Sequence, residues 1–440
     1  MLQDLLDFLG EKRVGLLGFG REGRSSRAFL RRHCPQRPLL IADRNPVEID
    51  DPYVTLLCGE DYLGALRQCD ILIKSPGVPL KDIQLPPGLV ITCQTDLFLR
   101  FAPCVKAGVT GSKGKTTTST LIYLMLRASG VPARLIGNMG FPVLDSFDEI
   151  EGQIAVIEMS SHQLEFTGAS PHAAVWTNLY EEHLDHYTGG FAGYAAAKAH
   201  ICQYQTPGDV FIFNADQPLA DMADLSACRA RRVPVGLGMD DPFLRSLEGL
   251  SPRLRGDHNR HNIYFAATAA LHLGATREGI RRALEEFAGI PHRMYPVSEA
   301  GGIHWVDDCI TTIPRGVLYT ADALGDVDTL LLGGLDRGLD YRDFARELAV
   351  RPVRNLICMP ETGHSIAKLL NALNSQQNIV LVETMEEAVA AAFACTAAGK
   401  TCLLSPAAAS YNVYKDFEAK GKHYLECINN TEAAKSPCPG

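Results

Sequence analysis

The sequence predicts an α/β fold in three domains, and three observations support that prediction. Short apolar runs of strand length alternate with helical patterns along the chain, which is typical of parallel sheets covered by helices. Two of these runs end in glycine-rich turns that open a helix, one at Gly18 and one at Gly111. The length of 440 residues suits roughly three domains of ordinary size. We therefore expect domains at 1–95, 96–290 and 291–440.

The first predicted domain begins with a βαβ unit. Its strands are expected at 14–17, 39–42, 54–57 and 71–73. A helical stretch runs from the first glycine turn to about His33, and the second strand ends at Asp43. Ser75-Pro76-Gly77 closes the last strand. This pattern predicts a small doubly wound sheet with a Rossmann-like order.

The second and third predicted domains repeat the alternation. Strands of the second are expected at 104–110, 154–158, 173–177 and 210–213, with helices after Gly114 and over 191–204. Strands of the third are expected at 303–306, 329–332, 356–359, 379–382 and 401–404. A Gly-Ile-Pro segment at 289–291 interrupts the preceding helix and predicts a joint between them.

Composition narrows the classes of partner. The net charge of −9 gives no basic excess, which argues against nucleic acid and against anionic membranes. The 13 cysteines show no CxxC pair or repeated spacing, so their pattern supports neither a zinc site nor a disulfide framework. The acidic N-terminus does not predict a signal peptide or a membrane span. We expect a cytoplasmic monomer that acts on small molecules.

The segment after the strand at 104–110 has the features of a phosphate-binding loop. It reads Gly111-Ser112-Lys113-Gly114-Lys115-Thr116-Thr117 and opens a helix. Consecutive backbone N–H groups and a helix N-terminus hold phosphate oxygens, and glycine permits close approach. Lys115 supplies a charge and Thr116 can ligate Mg²⁺. The segment predicts binding of a nucleoside triphosphate, although Val109 replaces the first glycine of the strict pattern.

A second glycine pattern lies near the N-terminus. Gly18-x-Gly20-x-x-Gly23, with Asp43 twenty residues beyond, matches the dinucleotide fingerprint in which the acid bonds a ribose hydroxyl. Alone it suggests a nicotinamide-dependent oxidoreductase. The same geometry serves any nucleotide diphosphate, and the glycines could instead only pack helix on strand. Together with the phosphate loop it predicts two nucleotide-like ligands.

Four further residues are candidates whose separate signals are weak. Glu158 ends a predicted central strand beside the phosphate loop, where a carboxylate can hold Mg²⁺, or it is an ordinary strand-end charge. His183 lies in an acidic loop and either binds a metal or is only solvated. Lys198 lies on a helical segment whose composition favours a surface lysine. Asn138 sits between glycines in a loop.

The order of the motifs is more specific than any one of them. The series is the phosphate loop, Gly137-Asn138-x-Gly140, Glu158-x-Ser160-Ser161-x-Gln163-Leu164-Glu165, Thr177-Asn178-Leu179 followed by His183-Leu-Asp185-His186, Tyr194-x-x-x-Lys198, His258-Asn259-x-x-Asn262, Pro291-His292-Arg293 and Leu404-Ser405-Pro406-Ala407. This series resembles the Mur ligases, the ATP-dependent amino-acid ligases of peptidoglycan precursor synthesis. The glycine fingerprint, Ser75-Pro76-Gly77 and the length are most similar to members that add D-glutamate to UDP-N-acetylmuramoyl-L-alanine.

The resemblance implies roles for individual residues. It implies a Rossmann-like domain for the UDP substrate, a central ATPase domain and a C-terminal Rossmann-like domain. Catalytic roles fall to Lys115, Glu158, His183 and Lys198. Two Mg²⁺ ions are implied, held by Thr116, Glu158, His183 and a carbamylated Lys198. ATP contacts are implied for the phosphate loop and for Asn262, Arg293 and Asp308. The UDP substrate would be held by Gly18, Arg21, Glu22, Asp43, Arg44, Ser75, Gly77, Asn138 and Ser160. The amino acid would be held by Arg337, Ser405, Ser410 and Phe417.

Two departures from the family pattern affect the amino-acid substrate. Many of these ligases read Asp-Ser-Lys-Ala-Thr-Asn where this chain has Asp308-Cys309-Ile310-Thr311-Thr312-Ile313, so the expected lysine is Ile310. Arg337 stands where lysine is common, which keeps the cation but changes its geometry. Because arginine can hold a carboxylate bidentately, D-glutamate stays the favoured substrate and L-glutamate the close variant.

Overall fold

The computed structural model describes residues 2–137, 142–182, 185–254, 256–336, 338–410 and 412–435. Three predicted site residues, Asn138, His183 and Arg337, lie outside these ranges, and their roles stay predictions. The chain divides into two compact units, Met1–Phe287 and Ala288–Gly440. Within these ranges, the first unit contains two sheets and the second contains one. The predicted α/β class is confirmed, whereas a separate domain ending at residue 95 stays a prediction.

The first sheet is a parallel Rossmann-type sheet. Its region comprises α1 Leu2–Leu9, β1 Val14–Leu17, α2 Arg21–His33, β2 Leu39–Asp43, β3 Val54–Cys58, the 3₁₀ helix Glu60–Arg67, β4 Ile71–Lys74, β5 Val90–Thr92 and α3 Gln94–Phe101. The strand order is β3-β2-β1-β4-β5, with every neighbouring pair parallel. The order therefore reverses direction between β1 and β4, which is where ligands bind in such sheets.

The second sheet is also parallel. Its region comprises β6 Val105–Thr110, α4 Lys115–Ala128, β7 Ala133–Gly137, the 3₁₀ helix Val143–Glu149, β8 Ile154–Glu158, α5 Ser161–Leu164, β9 Ala173–Trp176, α6 Phe191–Gln203, β10 Val210–Asn214, α7 Leu219–Met222, β11 Arg231–Val235, α8 Pro242–Arg245, α9 Asp257–His272 and α10 Arg277–Glu285. The order is β11-β10-β9-β6-β8-β7. One apolar cluster contains buried residues from both sheet regions, among them Leu16, Phe98 and Ile157. The two sheets of the first unit therefore share a core.

The second unit is built on a mixed sheet. It comprises β12 Tyr295–Ser298, the 3₁₀ helix Ala300–Gly302, β13 His304–Asp307, α11 Pro314–Leu324, β14 Val327–Gly334, α12 Arg342–Ala349, β15 Asn355–Glu361, α13 Thr362–Ala372, β16 Asn378–Leu381, α14 Met385–Cys395, β17 Thr401–Leu404 and α15 Phe417–Lys435. The order is β12-β13-β17-β14-β15-β16, and only the β12 edge pairs antiparallel. Separate apolar clusters cover its two faces.

Every strand expected from the sequence is present, and four of the strands in the described ranges were not expected. These are β5, β7, β11 and β12, each at or beside a sheet edge. The sequence of β11, Arg-Arg-Val-Pro-Val, lacks the apolar run that marks a buried strand, because most of its side chains are at least partly exposed. In the part of the chain that the structure describes, none of the helices combines the length and apolar character needed to cross a membrane.

Candidate active site

The phosphate loop joins β6 to α4, and its two glycines are required by close contacts. Gly111 has a φ of +150°, and a Cβ there would collide with the Thr177 hydroxyl. Gly114 has a left-handed φ of +82°, and its Cβ would collide with Asn262 Oδ1. Helix α4 begins directly afterwards at Lys115. The backbone therefore makes a glycine-dependent turn into a helix N-terminus, which is the kind of feature that binds phosphate.

The segment after β9 fixes the far side of this loop. The Thr177 hydroxyl donates to the Lys113 carbonyl at 2.6 Å. Asn178 donates from Nδ2 to the same carbonyl at 3.0 Å, and its Oδ1 accepts from the Lys113 amide at 2.8 Å. Ser112 Oγ lies 2.9 Å from the Tyr194 hydroxyl. The sequence analysis gave the Thr177-Asn178 pair no role, and these hydrogen bonds fix the backbone of the loop at Lys113.

Replacing Gly111 with alanine is expected to abolish nucleotide binding. The new Cβ would displace Thr177 and with it the hydrogen bond to Lys113, in a backbone conformation that alanine avoids. Equilibrium titration with ATP measures the loss. Gly238→Ala is the matched control, because its Cβ meets nothing within 4 Å. ATP affinity within a few-fold of the original in Gly111→Ala would contradict the role of this glycine.

Two lysines converge on the phosphate loop. Lys115 Nζ donates to the carbonyls of Gly111 and Ser112, both at 2.9 Å. Lys198, on α6, is buried with 1% exposure, and its Nζ donates to the Gly111 carbonyl at 2.8 Å. Burial first, and then the charge of Lys115, hold the pKa of Lys198 well below its usual value. The prediction that Lys198 is a surface lysine, which rested on composition, is wrong because the face of α6 that bears Lys198 is buried.

Oxygen donors suited to Mg²⁺ lie beside the loop. Strand β6 runs between β8 and β9, so the carboxyl ends of the three strands meet at one edge. Glu158 ends β8 opposite Val109 and is 3% exposed. Thr116 is in the first turn of α4 and is also buried. A carboxylate and a hydroxyl are the hard ligands that Mg²⁺ prefers, so these residues fit the ion.

Asn262 reaches the loop from α9. It accepts a hydrogen bond at Oδ1 from the Thr118 hydroxyl at 3.3 Å and donates from Nδ2 to Asn259 at 3.1 Å. Its amide also packs against Gly114. The predicted nucleotide contact of Asn262 therefore lies at the turn of the phosphate loop.

The predicted UDP residues of the first sheet gather at its switch point. The Ser75 hydroxyl, after β4, donates to the Gly18 carbonyl, after β1, at 2.8 Å. Asp43, at the end of β2, accepts from the Phe19 amide at 2.6 Å. Arg21, Arg44 and Gly77 follow β1, β2 and β4 in the sequence, and all three are exposed. Ser160 caps α5 together with Gln163 in a capping box.

Glu22 is directed away from solvent, into a polar network between the two sheets. Its Oε1 accepts from Gln163 Nε2 at 2.9 Å, while its Oε2 is buried without a partner among the described residues. Lys74, 2% exposed, lies 3.5 Å from Glu165 in the same network. The sequence analysis assigned no role to Lys74 or Glu165. The sequence signal that could have revealed this network is a lysine that ends an apolar strand directly before Ser75.

Glu22→Gln is expected to change how stability depends on pH. Burial raises the pKa of Glu22 from 4.5 to about 7, opposed by the Gln163 hydrogen bond and by Lys74. Because the folded protein holds the proton more tightly than the unfolded chain, protonated Glu22 contributes fully to the free energy of unfolding below about pH 4.5. This contribution is lost as the pH rises through about 7. The glutamine variant should be the more stable protein at pH 8, by up to about 3 kcal/mol, and equal at pH 4.

Urea midpoints at the two pH values measure this difference. Exposed Glu48→Gln is the control and should keep the original pH dependence. An unchanged pH dependence in Glu22→Gln would show that Glu22 does not titrate between the two states.

In the second unit, Asp308 and Ser405 are partners. Asp308 is 1% exposed, and its Oδ2 accepts from Ser405 Oγ at 2.8 Å and from Thr320 Oγ1 at 2.9 Å. Burial raises the pKa of Asp308, although these hydrogen bonds oppose the rise. The sequence analysis gave these two residues to different ligands, nucleotide and amino acid. The structure places them in one hydrogen-bonded group at the ends of β13 and β17.

The other predicted residues of this unit that the structure describes are Arg293, Phe417 and Ser410. Arg293 is exposed, and the neighbouring His292 bonds Asp307 at 2.6 Å. Burial opposes protonation of His292, but the hydrogen bond and charge of Asp307 raise its pKa overall. The Phe417 ring lies 5.7 Å from the His292 ring. The buried Ser410 hydroxyl has no hydrogen-bond partner in the described part of the chain, so it can still donate to a ligand.

Comparison with known proteins identifies the family. A sequence model of the Mur ligase middle domain matches residues 109–245, and one of the Mur ligase glutamate ligase domain matches residues 292–408. A relative from Symbiobacterium thermophilum is 34% identical over 85% of this chain and 87% of its own length. The chain belongs to the Mur ligase family. It is thus an ATP-dependent ligase, as the motif order predicted.

The named relatives agree with one another. Those from Symbiobacterium thermophilum, Geobacillus kaustophilus and Bacillus subtilis are each named UDP-N-acetylmuramoylalanine–D-glutamate ligase. The Geobacillus protein is 32% identical over 96% of this chain and 98% of its own. The Bacillus protein is 30% identical over 96% of this chain and 98% of its own. Both alignments therefore include all three sheets.

Solved structures show that the fold is that of the Mur ligases. MurF from Acinetobacter baumannii has a TM-score of 0.57 at 19% identity, with 89% of this chain and 85% of that chain covered. UDP-N-acetylmuramate-alanine ligase MurC from Thermotoga maritima has a TM-score of 0.54 at 17% identity, with 96% and 100% covered. FolC from E. coli, solved with ADP, has a TM-score of 0.56 at 17% identity, with 82% and 99% covered.

Proposed function

We propose that this ligase adds D-glutamate to UDP-N-acetylmuramoyl-L-alanine in peptidoglycan precursor synthesis, with ATP as the energy source. The observation that carries the proposal is the convergence of Lys115, Lys198 and Glu158 on one phosphate loop. The names of relatives that match nearly the whole chain support the substrates. The protein is proposed to act in the cytoplasm as a monomer.

The reaction must overcome the low reactivity of a carboxylate toward an amine. The substrate carboxylate attacks the γ-phosphorus of ATP, forming an acyl phosphate and releasing ADP. The amino group of glutamate then attacks the acyl carbon, loses a proton and expels phosphate. Lys115, placed at the mouth of the phosphate loop, neutralises charge that builds on the transferring phosphoryl group.

Two Mg²⁺ ions are part of the proposal. Thr116, Glu158, His183 and a carbamylated Lys198 would hold them. When bound, the ions shield the phosphate charges and polarise the oxygens around the reacting phosphorus. The low pKa of Lys198 supports carbamylation, because only the neutral amine reacts with CO₂. Glu158 and Thr116 lie at the loop in a water-poor setting that strengthens their interaction with cations.

The substrates are assigned to separate parts of the chain. The switch point of the first sheet is proposed to take the UDP group through Gly18, Asp43 and Ser75. Asn262, Arg293 and Asp308 are proposed to contact the ATP nucleoside. Arg337, Ser405, Ser410 and Phe417 are proposed to hold the amino acid, with Arg337 pairing a carboxylate.

An L-glutamate-adding ligase is the second candidate. The observation that favours it is Ile310, half-buried where many of these ligases have a lysine. An apolar side chain cannot pair a carboxylate, so the amino-acid carboxylates must be held differently here. The remaining cation, Arg337, does not by itself choose between the two enantiomers.

One assay tests both candidates. The protein is supplied with ATP, Mg²⁺ and UDP-N-acetylmuramoyl-L-alanine, and with D-glutamate, L-glutamate or other amino acids in parallel. Phosphate release and the amide product are measured. The proposal expects D-glutamate to give the highest kcat/KM. Product only with L-glutamate would transfer the assignment to the second candidate. Absence of ¹⁸O transfer from the substrate carboxylate to released phosphate would overturn the acyl-phosphate route.

A further inference from the structure

A cysteine, a histidine and a glutamate converge in the second unit, apart from the residues assigned to ATP or to the amino acid. His423 and Cys427 are four residues apart on α15, so both face the same side of the helix. Glu386 lies in the first turn of α14. The ligand atoms of the three side chains all lie within 4.8 Å of one another. We propose that Glu386, His423 and Cys427 form a binding site for a thiophilic divalent cation of the Zn²⁺ type.

The distances are close to those of a tetrahedral zinc site. Bond lengths of about 2.0 Å to oxygen and nitrogen and about 2.3 Å to sulfur put neighbouring ligand atoms about 3.3–3.5 Å apart. His423 Nε2 and Glu386 Oε1 are already 3.1 Å apart. The thiol needs to approach by at most about 1.3 Å, which is within the range of a side-chain rotation. The helix backbones can therefore stay where they are.

The histidine is held in the orientation that a ligand requires. Its Nδ1 is hydrogen-bonded to the Tyr414 hydroxyl at 2.9 Å, which leaves Nε2 directed at Glu386. A partner on the second ring nitrogen is the usual support for a metal-binding histidine, because it sets the tautomer and the ring plane. Tyr414 thus gives the cluster a feature that a simple surface ion pair does not need.

The donor set selects the class of ion. A thiolate and an imidazole favour zinc-like ions, whereas Mg²⁺ prefers oxygen ligands. Cys427 is buried, and burial raises the pKa of its thiol to about 11. Binding therefore forms the sulfur–metal bond and releases the thiol proton to solvent. This exchange offsets part of the binding free energy, as at other cysteine sites.

A cavity of the second unit adjoins the proposed site. Glu386, Tyr414 and His423 line this cavity together with Gly334 and Lys420. A water molecule can complete the tetrahedron from that side. The bound ion would cross-link α14 to α15, which begins at Phe417. It would thereby stabilise the helix start that carries a residue proposed for the amino-acid pocket.

Titration with Co²⁺ tests the site directly in the full-length protein. Co²⁺ replaces Zn²⁺ at such sites, and a thiolate ligand gives an intense sulfur-to-cobalt charge-transfer band. We expect one equivalent of Co²⁺ to produce this band and Zn²⁺ to remove it. Cys427→Ser should abolish the band, and Glu386→Gln should weaken Co²⁺ binding at least about tenfold. Excess Mg²⁺ should leave the band unchanged.

Two controls keep the result interpretable. Cys395→Ser removes a thiol on α14 that is not part of the site and should retain the band. Glu299→Gln alters an exposed glutamate that lies 3.6 Å from His304, and this pair has no part in the site. This variant should also retain the band. Because Glu386 is exposed, its replacement leaves the core intact even if Cys427→Ser perturbs folding. A band that is absent from the original protein, or unchanged in Cys427→Ser, overturns the proposal.

Discussion

Replacing Lys115 with alanine is expected to lower kcat at least about a hundredfold. Its ammonium lies at the phosphate loop, 2.9 Å from two loop carbonyls, within reach of a transferred phosphoryl group. A preorganised electrostatic contact of this kind is typically worth roughly 3–4 kcal/mol in the transition state. Phosphate release at saturating ATP, UDP-N-acetylmuramoyl-L-alanine and D-glutamate is the measurement. Turnover close to that of the original protein would remove Lys115 from the mechanism.

Comparison variants separate charge from position. Lys115→Arg keeps the charge but changes a compact ammonium into a planar fork, so it should recover only part of the rate. Lys12→Ala, which removes an exposed lysine far along the chain from the loop, should have no effect. If Lys115→Ala raises KM for ATP without lowering kcat, the lysine binds the ground state and transition state equally. Our assignment requires the loss to appear in kcat.

The sheets and the phosphate loop were predictable because their signals are local. Apolar runs such as Val14–Leu17 and Ile154–Glu158 have strand length and end where a turn begins. Gly111 and Gly114 are informative because few other residues tolerate their backbone angles. The meeting of Gly18 with Ser75 follows from strand order, since β1 and β4 are neighbours only in a doubly wound sheet.

Features that depend on contacts between distant elements were not predictable. The Ala-rich segment around Lys198 has almost no polar face, and composition alone could not show that the lysine reaches Gly111 from another helix. Glu22 belongs to the glycine fingerprint, yet its carboxylate bonds Gln163, 141 residues away in sequence. The pairing of Asp308 with Ser405 joins strands that are neighbours only after the third sheet forms. Spacing in sequence carries no information about these distances.

Replacing Lys198 with alanine is expected to reduce turnover at least about a hundredfold, and a small carboxylate should restore part of it. In the proposed form, the neutral amine attacks CO₂, a nitrogen–carbon bond forms, and one nitrogen proton is lost to give a carbamate. The side chain then contributes a negative oxygen ligand in place of an ammonium. Because Lys198 is buried beside the phosphate loop, losing that ligand would weaken the hold on the Mg²⁺ that offsets the phosphate charges.

Rescue distinguishes this role from simple packing. Acetate or propionate can enter the space left by Lys198→Ala and supply the missing carboxylate, so activity should rise with their concentration. Lys106 is the matched control, because it too is buried with a pKa lowered by desolvation, but it lies near the opposite end of β6 and donates to Ala102. Lys106→Ala should show no rescue.

A carbonyl signal in ¹³C NMR after addition of ¹³C-bicarbonate should be present in the original protein and absent from Lys198→Ala. Full activity without CO₂ and without that signal would mean that Lys198 acts as an amine, and the carboxylate rescue should then fail as well.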